Sequence, residues 1–250
     1  MFGAQNKLSM DKEKYKQRLH DLVEQLATQS PELLDYLRKE VNTAISTKTA
    51  DAFIKLQRKN MRQKGLLFYA NIKDAKLKNQ LINDYAYMLW YKCIGDIPHM
   101  FSYVLFQMEN MLNAFIIATP NCYESIKTSP NKYTYSFSNS EQKTPYNIEA
   151  KISFIKSDGT NQPLEKISIW GKYAYWFVET MQTEKFKQYT HSLVSDIINL
   201  RNTTEHRNSQ QEISAHMEKQ INYWKTNVET KFSLIDMFIS TIRDSIIQLQ

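Results

Sequence analysis

The sequence predicts a mainly helical protein, a helical bundle with a small antiparallel β-hairpin insertion. Three observations point that way. Only five glycines and six prolines occur in 250 residues, too few for the many tight turns of a sandwich or barrel. Apolar residues recur at steps of three and four, most clearly at Met217, Ile221, Trp224, Val228, Phe232, Ile235, Ile239, Ile242 and Ile246. Between about residues 121 and 169 the texture changes. There "KYTYSFS" and "NIEAKISFI" alternate and carry β-branched or aromatic residues, and "SDGTNQP" has turn composition.

Each element has its own local signal. Ser9 is placed to cap a first helix through about residue 28, and "SPELLDYLRKE" restarts with Ser30 at the cap and Pro31 in the first turn. "TKTADAFIKLQRKNMRQKG" is helical in pattern and is expected to stop at Gly65. "KDAKLKNQLINDYAYMLWYKCIG" repeats the arrangement and stops at Gly95. In "DIPHMFSYVLFQMENMLNAFIIATP" Asp96 is the cap and Pro120 the terminator. Two or three strands are expected over 121–169, with "LEKISIW" as a candidate last strand. Helical pattern resumes at "GKYAYWFVETM" and again after Thr183. The C-terminal run reads as one long helix or as two with a bend near Thr230.

With 42% apolar residues the chain can bury a sizeable core and is not disordered. Cys93 and Cys122 form neither a metal-ligand spacing nor a disulfide framework, which suits a reducing cytoplasm. The opening "MFGAQNKLSMDKEK" lacks a signal-peptide core, and "YVLFQMENMLNAFII" is broken by Gln107, Glu109 and Asn110, so no membrane span is expected. Five scattered glycines make no phosphate-cradling loop, and no cofactor or metal is expected. His20, His99, His191 and His216 have no partner at ligand spacing. Trp170, Tyr173, Tyr175, Trp176 and Phe177 read as core packing before base stacking.

Charge is unevenly placed. Lys55, Arg58, Lys59, Arg62, Lys64, Lys73, Lys76 and Lys78 face one acid, Asp74, a local excess of +7 against +6 for the whole chain. Such clusters suit an anionic partner, nucleic acid first, although an exposed helix face can also be lysine-rich without one.

The most specific signal is "IINLRNTTEHRNSQQ". Positions four apart share a helix face, so the row Val194, Ile198, Asn202, His206 carries apolar residues into an amide and an imidazole. Arg201 precedes His206 by five residues, about 140° around an ideal helix, so the two meet through arginine's length, a loosened helix or a second chain. Histidine exchanges protons near neutral pH, and arginine offers a fork of donors to a phosphate gaining charge. Glu205 stands alone as a carboxylate, so the pattern points to metal-free phosphodiester cleavage, with RNA's own 2′-hydroxyl as nucleophile.

Arg201-Asn202-Thr203-Thr204-Glu205-His206 resembles the R-(N/D/H)-x-x-x-H signature of HEPN ribonucleases (higher eukaryotes and prokaryotes nucleotide-binding domain). These include toxins, abortive-infection proteins and the nuclease halves of type VI CRISPR effectors. The resemblance implies an all-helical domain, a homodimer with two motifs across a cleft, and metal-independent RNA cleavage leaving a 2′,3′-cyclic phosphate. It implies Arg201 and His206 as the catalytic pair and Asn202 as their polar support. It also places Glu109 and Asn113 of "FQMENMLNAFI" at the polar positions of the helix before the motif helix. Arg207, directly after the motif, joins Lys55, Arg58, Lys59 and Arg62 as an RNA-binding candidate. An antitoxin or a guide or regulatory partner would fit that setting. The expected organisation is an N-terminal helical region over 1–95, packed on a HEPN-like domain over 96–250 as one compact unit. The alternatives are a non-catalytic RNA-binding or regulatory HEPN protein and a helical scaffold.

Overall fold

The computed structural model describes residues 24, 32, 47–137, 146–180, 190–201 and 215–250. The helices expected near residues 9–28 and 30–40 lie outside these residues apart from Glu24 and Glu32, both helical. Thr183 lies outside them as well. The chain divides into Met1–Gln57 and Arg58–Gln250, and the larger unit is described below.

Helix is the dominant element. The first described helix, α1 (Thr47–Phe68), runs three residues past Gly65, the expected stop. A Cβ at Gly65 would meet the Ile82 carbonyl oxygen at 2.9 Å, so this glycine is a contact point between helices. α2 (Ala75–Cys93) is capped by Asp74, which accepts from the Leu77 N–H at 2.9 Å. It ends at Gly95, whose φ of +73° lets the Asp96 N–H reach back to the Tyr91 carbonyl at 2.9 Å. Asp96 then caps α3 (Ile97–Ala118) through the His99 N–H, with Pro98 in the first turn and Pro120 beyond the end.

The region 121–169 is more helical than its alternation predicts. α4 (Cys122–Thr128) and a 3₁₀ turn at Pro130–Tyr133 precede β1 (Thr134–Phe137). β1 pairs antiparallel with β2 (Tyr146–Glu149), Thr134 opposite Glu149 and Phe137 opposite Tyr146. Only the first part of "NIEAKISFI" is extended, since α5 (Ala150–Phe154) follows at once. A turn at Asp158–Gly159 comes next, with Gly159 at φ +82°. The candidate last strand "LEKISIW" is not one. Leu164–Lys166 is a 3₁₀ turn, and Ser168 caps α6 (Ile169–Glu179) by accepting from the Gly171 N–H at 3.1 Å. The buried Ile167 pins the turn, and Gly171 packs so closely on Ser153 that a Cβ would lie 2.4 Å from Ser153 Cβ.

Helix α7 covers the described residues 190–201, and α8 (Ala215–Leu249) is one helix of 35 residues, unbroken at Thr230. Its apolar row is buried at Ile221, Trp224, Val228, Ile235, Ile239, Ile242 and Ile246. α3 is the central element, packed by α2, α6 and α8. Accordingly it is buried nearly all round, with Met100, Phe101, Val104, Met108, Met111 and Leu112 among its core residues. The aromatic run of α6 enters the same core: Tyr173, Tyr175, Trp176 and Phe177 are buried and Trp170 is half-buried. Trp176 donates from Nε1 to Ser245 Oγ at 2.8 Å, tying α6 to α8. Arg243 of α8 donates to the Phe68 carbonyl at 2.8 Å and covers the Phe68 ring, closing the end of α1. Among the described residues no helix is long and apolar enough to cross a membrane.

Candidate functional site

α7 carries the motif's first residue. Thr190, Leu193, Val194, Ile197 and Leu200 are its buried row. Arg201 lies four residues after Ile197 and seven after Val194, so it continues that row, and it is half-buried. Ile198 is half-buried and packs against the core from the edge of that face. The buried face therefore leads to Arg201. Asn202, Glu205, His206 and Arg207 lie outside the described residues.

Polar contacts set the course of α7. Tyr173 OH and Thr190 Oγ1 share a buried hydrogen bond of 2.7 Å at the first described residue of α7. His191 stacks on Trp170 with ring centres 5.1 Å apart. Midway, Asp196 accepts from Trp224 Nε1 at 2.9 Å and Gln220 Nε2 at 3.1 Å. Burial raises the Asp196 pKa, and the Trp224 hydrogen bond opposes that rise. Trp224 sits in the N-terminal third of α8 and meets Phe101 edge-on at 4.8 Å, so Asp196 ties α7 to α8 beside α3.

Glu109 and Asn113 belong to other surroundings. Lys172, with a side chain at 0% exposure, donates from Nζ to Glu109 Oε1 at 2.9 Å. Asn113 Oδ1 is buried without a hydrogen-bond partner among the described residues. Both residues line a groove of about 760 Å³ with Gln80, Phe106, Asn110 and Ile117, and its described lining includes nothing from α7. Beneath it, buried Asp84 accepts from Gln80 Nε2 at 3.0 Å and Asn110 Nδ2 at 3.4 Å. Burial pushes its carboxyl up to about 6, against the pull of those two amides. The structure thus does not join the described lining of this groove to Arg201.

Lys55, Arg58, Lys59 and Arg62 are all exposed along α1, Lys55 in the smaller unit and the others in the larger. Arg58 and Arg62 do come together. They line one cleft with Asn83, Ala86, Tyr87 and Trp90 of α2. The Arg58 guanidinium lies 5.5 Å from the Trp90 ring centre, and Arg62 donates from Nη1 to Asn83 Oδ1 at 2.6 Å. Sequence reading passed over Asn83, Tyr87 and Trp90. Their spacing of four and three puts them on one face of α2, but only the packing of α1 shows that this face meets the arginines. Of the other histidines, His99 contacts Asp96 at 2.8 Å, His216 is exposed, and His20 lies outside the described residues.

Comparison with family models, with curated proteins and with solved structures finds no match. The residues carry the functional reading.

Proposed function

We propose that this chain is a metal-independent endoribonuclease of the HEPN type, a homodimer that serves as a prokaryotic toxin or phage-defence effector. One observation carries the reading: R-N-T-T-E-H begins at Arg201, a half-buried residue to which the described buried row of a helix leads. In the proposed reaction the RNA 2′-hydroxyl attacks the adjacent phosphorus and the 5′-oxygen leaves, giving a 2′,3′-cyclic phosphate. His206 exchanges the proton, Arg201 binds the phosphate as its charge grows, and Asn202 orients the imidazole. Arg58, Lys59 and Arg62, with Lys55 and Arg207, hold the RNA backbone without reading sequence. A HEPN-like bundle, with the β1–β2 pair as an insertion, is the fold that goes with this reading.

Purified protein incubated with total RNA, with and without EDTA, tests it. Cleavage is expected in both, and is expected to disappear in His206→Ala and in Arg201→Ala. Activity lost on chelation, or kept by both variants, overturns the mechanism. RNA binding without cleavage in the unsubstituted protein selects the non-catalytic alternative.

A further inference from the structure

Four near-parallel rings form a continuous stack between α2 and α3. His99 stacks on Tyr91 with ring centres 5.0 Å apart, Tyr91 on Tyr103 at 5.5 Å, and Tyr103 on Tyr87 at 5.0 Å. The rings alternate between the two helices because α2 and α3 run side by side and each supplies a pair four residues apart, Tyr87 with Tyr91 and His99 with Tyr103. A stack wholly inside a core would need no explanation beyond packing. This one reaches the surface: Tyr87 is 41% exposed, and Phe106, edge-on to Tyr103, is 39% exposed. Tyr87 also lines the cleft of about 130 Å³ that holds Arg58, Arg62, Asn83 and Trp90. The end of an aromatic column therefore opens beside two guanidiniums and an amide.

We infer that this cleft is a binding site for single-stranded RNA, in which a base extends the stack at Tyr87 and the adjoining phosphates meet Arg58 and Arg62. It deepens the RNA reading of the basic helix face and rests on it. A π-face accepts any base, so stacking of this kind is tolerant of sequence, and duplex bases, already stacked on each other, are excluded from it. The guanidiniums have donors to spare: Arg62 spends one on Asn83, and each guanidinium has five. Seating Arg58 over Trp90 and Arg62 on Asn83 holds both in place before RNA arrives, which lowers the ordering cost on binding. Asn83, held by Arg62, is positioned to offer its amide to a base edge. The charge complement favours RNA over a protein segment or a second copy, since the cleft has two cationic side chains and no carboxylate among its described lining residues.

Fluorescence anisotropy with labelled 2′-O-methyl RNA, as a single strand and as a duplex, tests this on the full chain. That probe has no free 2′-hydroxyl, so binding is read whether or not the protein cleaves RNA. The single strand is expected to bind more tightly than the duplex. Tyr87→Leu, which keeps apolar bulk and removes the π-face, is expected to weaken single-strand binding about tenfold and leave duplex binding unchanged. Tyr87→Phe is expected to retain affinity, and thermal unfolding of both variants monitors the fold. Arg58→Glu with Arg62→Glu is expected to weaken both probes, since it removes backbone contacts. If Tyr87→Leu folds and binds the single strand as before while the arginine reversals weaken it, the stacking site is wrong and the backbone reading stands. No single-strand binding by the unsubstituted protein overturns both. Loss of dimer in Tyr87→Leu with RNA affinity intact makes the surface a self-interface and also overturns the proposal.

Discussion

The ammonium of Lys172, wholly buried in α6, is held 2.9 Å from the carboxylate of Glu109, which is 42% exposed on α3. A buried charge of this kind depends on its partner more than the partner depends on it. Removing Glu109 leaves the ammonium in the core without compensation, which typically costs about 3–5 kcal/mol. Glu109→Ala is therefore expected to lower unfolding stability by that order. Lys172→Met in the same background should recover much of the loss, because methionine fills the space without a charge. Urea denaturation of the single and double variants checks this, and equal stability of Glu109→Ala and the unsubstituted protein would falsify it.

Asp84 makes stability fall as pH rises through the mildly acidic range. Burial raises its folded pKa from 3.8 to about 6, so the folded state holds its proton more tightly than the unfolded chain. The full benefit is present below pH 3.8 and is lost on approaching pH 6. Asp84→Asn should flatten this slope, changing the stability difference from the parent by roughly 1–2 kcal/mol between pH 4 and 7. Thermal unfolding of both proteins across that range reads it. A difference that stays constant with pH would remove Asp84 as the cause. Burial also raises Asp196 and Asp236, so the parent slope has the same sign at those groups.

Gly65→Ala tests the reading of that glycine as a contact point. Within a helix the change gains roughly 1 kcal/mol of intrinsic propensity. Here the new methyl meets Ile82 backbone atoms at 2.9 Å and 3.3 Å, which cannot swing away as a side chain could. Overpacking is expected to win, with a net loss of about 1–2 kcal/mol in a denaturant titration. A more stable variant would show that α1 and α2 separate at little cost.

For the proposed chemistry, loss of the proton-exchanging His206 should reduce cleavage about 10²–10⁴-fold with no change in the unfolding midpoint. Arg201→Lys retains the charge and loses the fork, so it should recover little of the activity lost in Arg201→Ala. Recovery to near the parental rate would mean that charge alone suffices there.

The proposed reading also predicts a dimer. Arg201 and His206 are five residues apart in sequence, and a two-fold axis would bring two motifs together. Sedimentation should give twice the chain mass. A strictly monomeric, fully active protein rules this arrangement out.

Much of the helical architecture was legible because its signals are local. Asp74 and Asp96 cap their helices through hydrogen bonds spanning three residues, and Gly95 supplies the positive φ that ends α2. The apolar row of α8 needs only the helical period to be read, and the core placement of Tyr173 to Phe177 follows from their density. "LEKISIW" misled for a physical reason. Alternation at Ile167 and Ile169 is compatible with a strand, but burial of Ile167, the Ser168 cap and the tight Gly171–Ser153 approach together start a helix there. The motif residues were named from sequence chemistry, and only the packing shows that Ile197 is wholly buried and Ile198 half-buried at the core's edge.

Local sequence therefore determined where α2 and α3 begin and end, since capping and periodicity act within a few residues. Tertiary structure decided which distant faces meet: Gly65 against Ile82, Lys172 under Glu109, and Tyr87 beside Arg58 and Arg62. Those pairings depend on close packing between helices, and close packing is a property of two surfaces together, which neither surface carries in its own sequence.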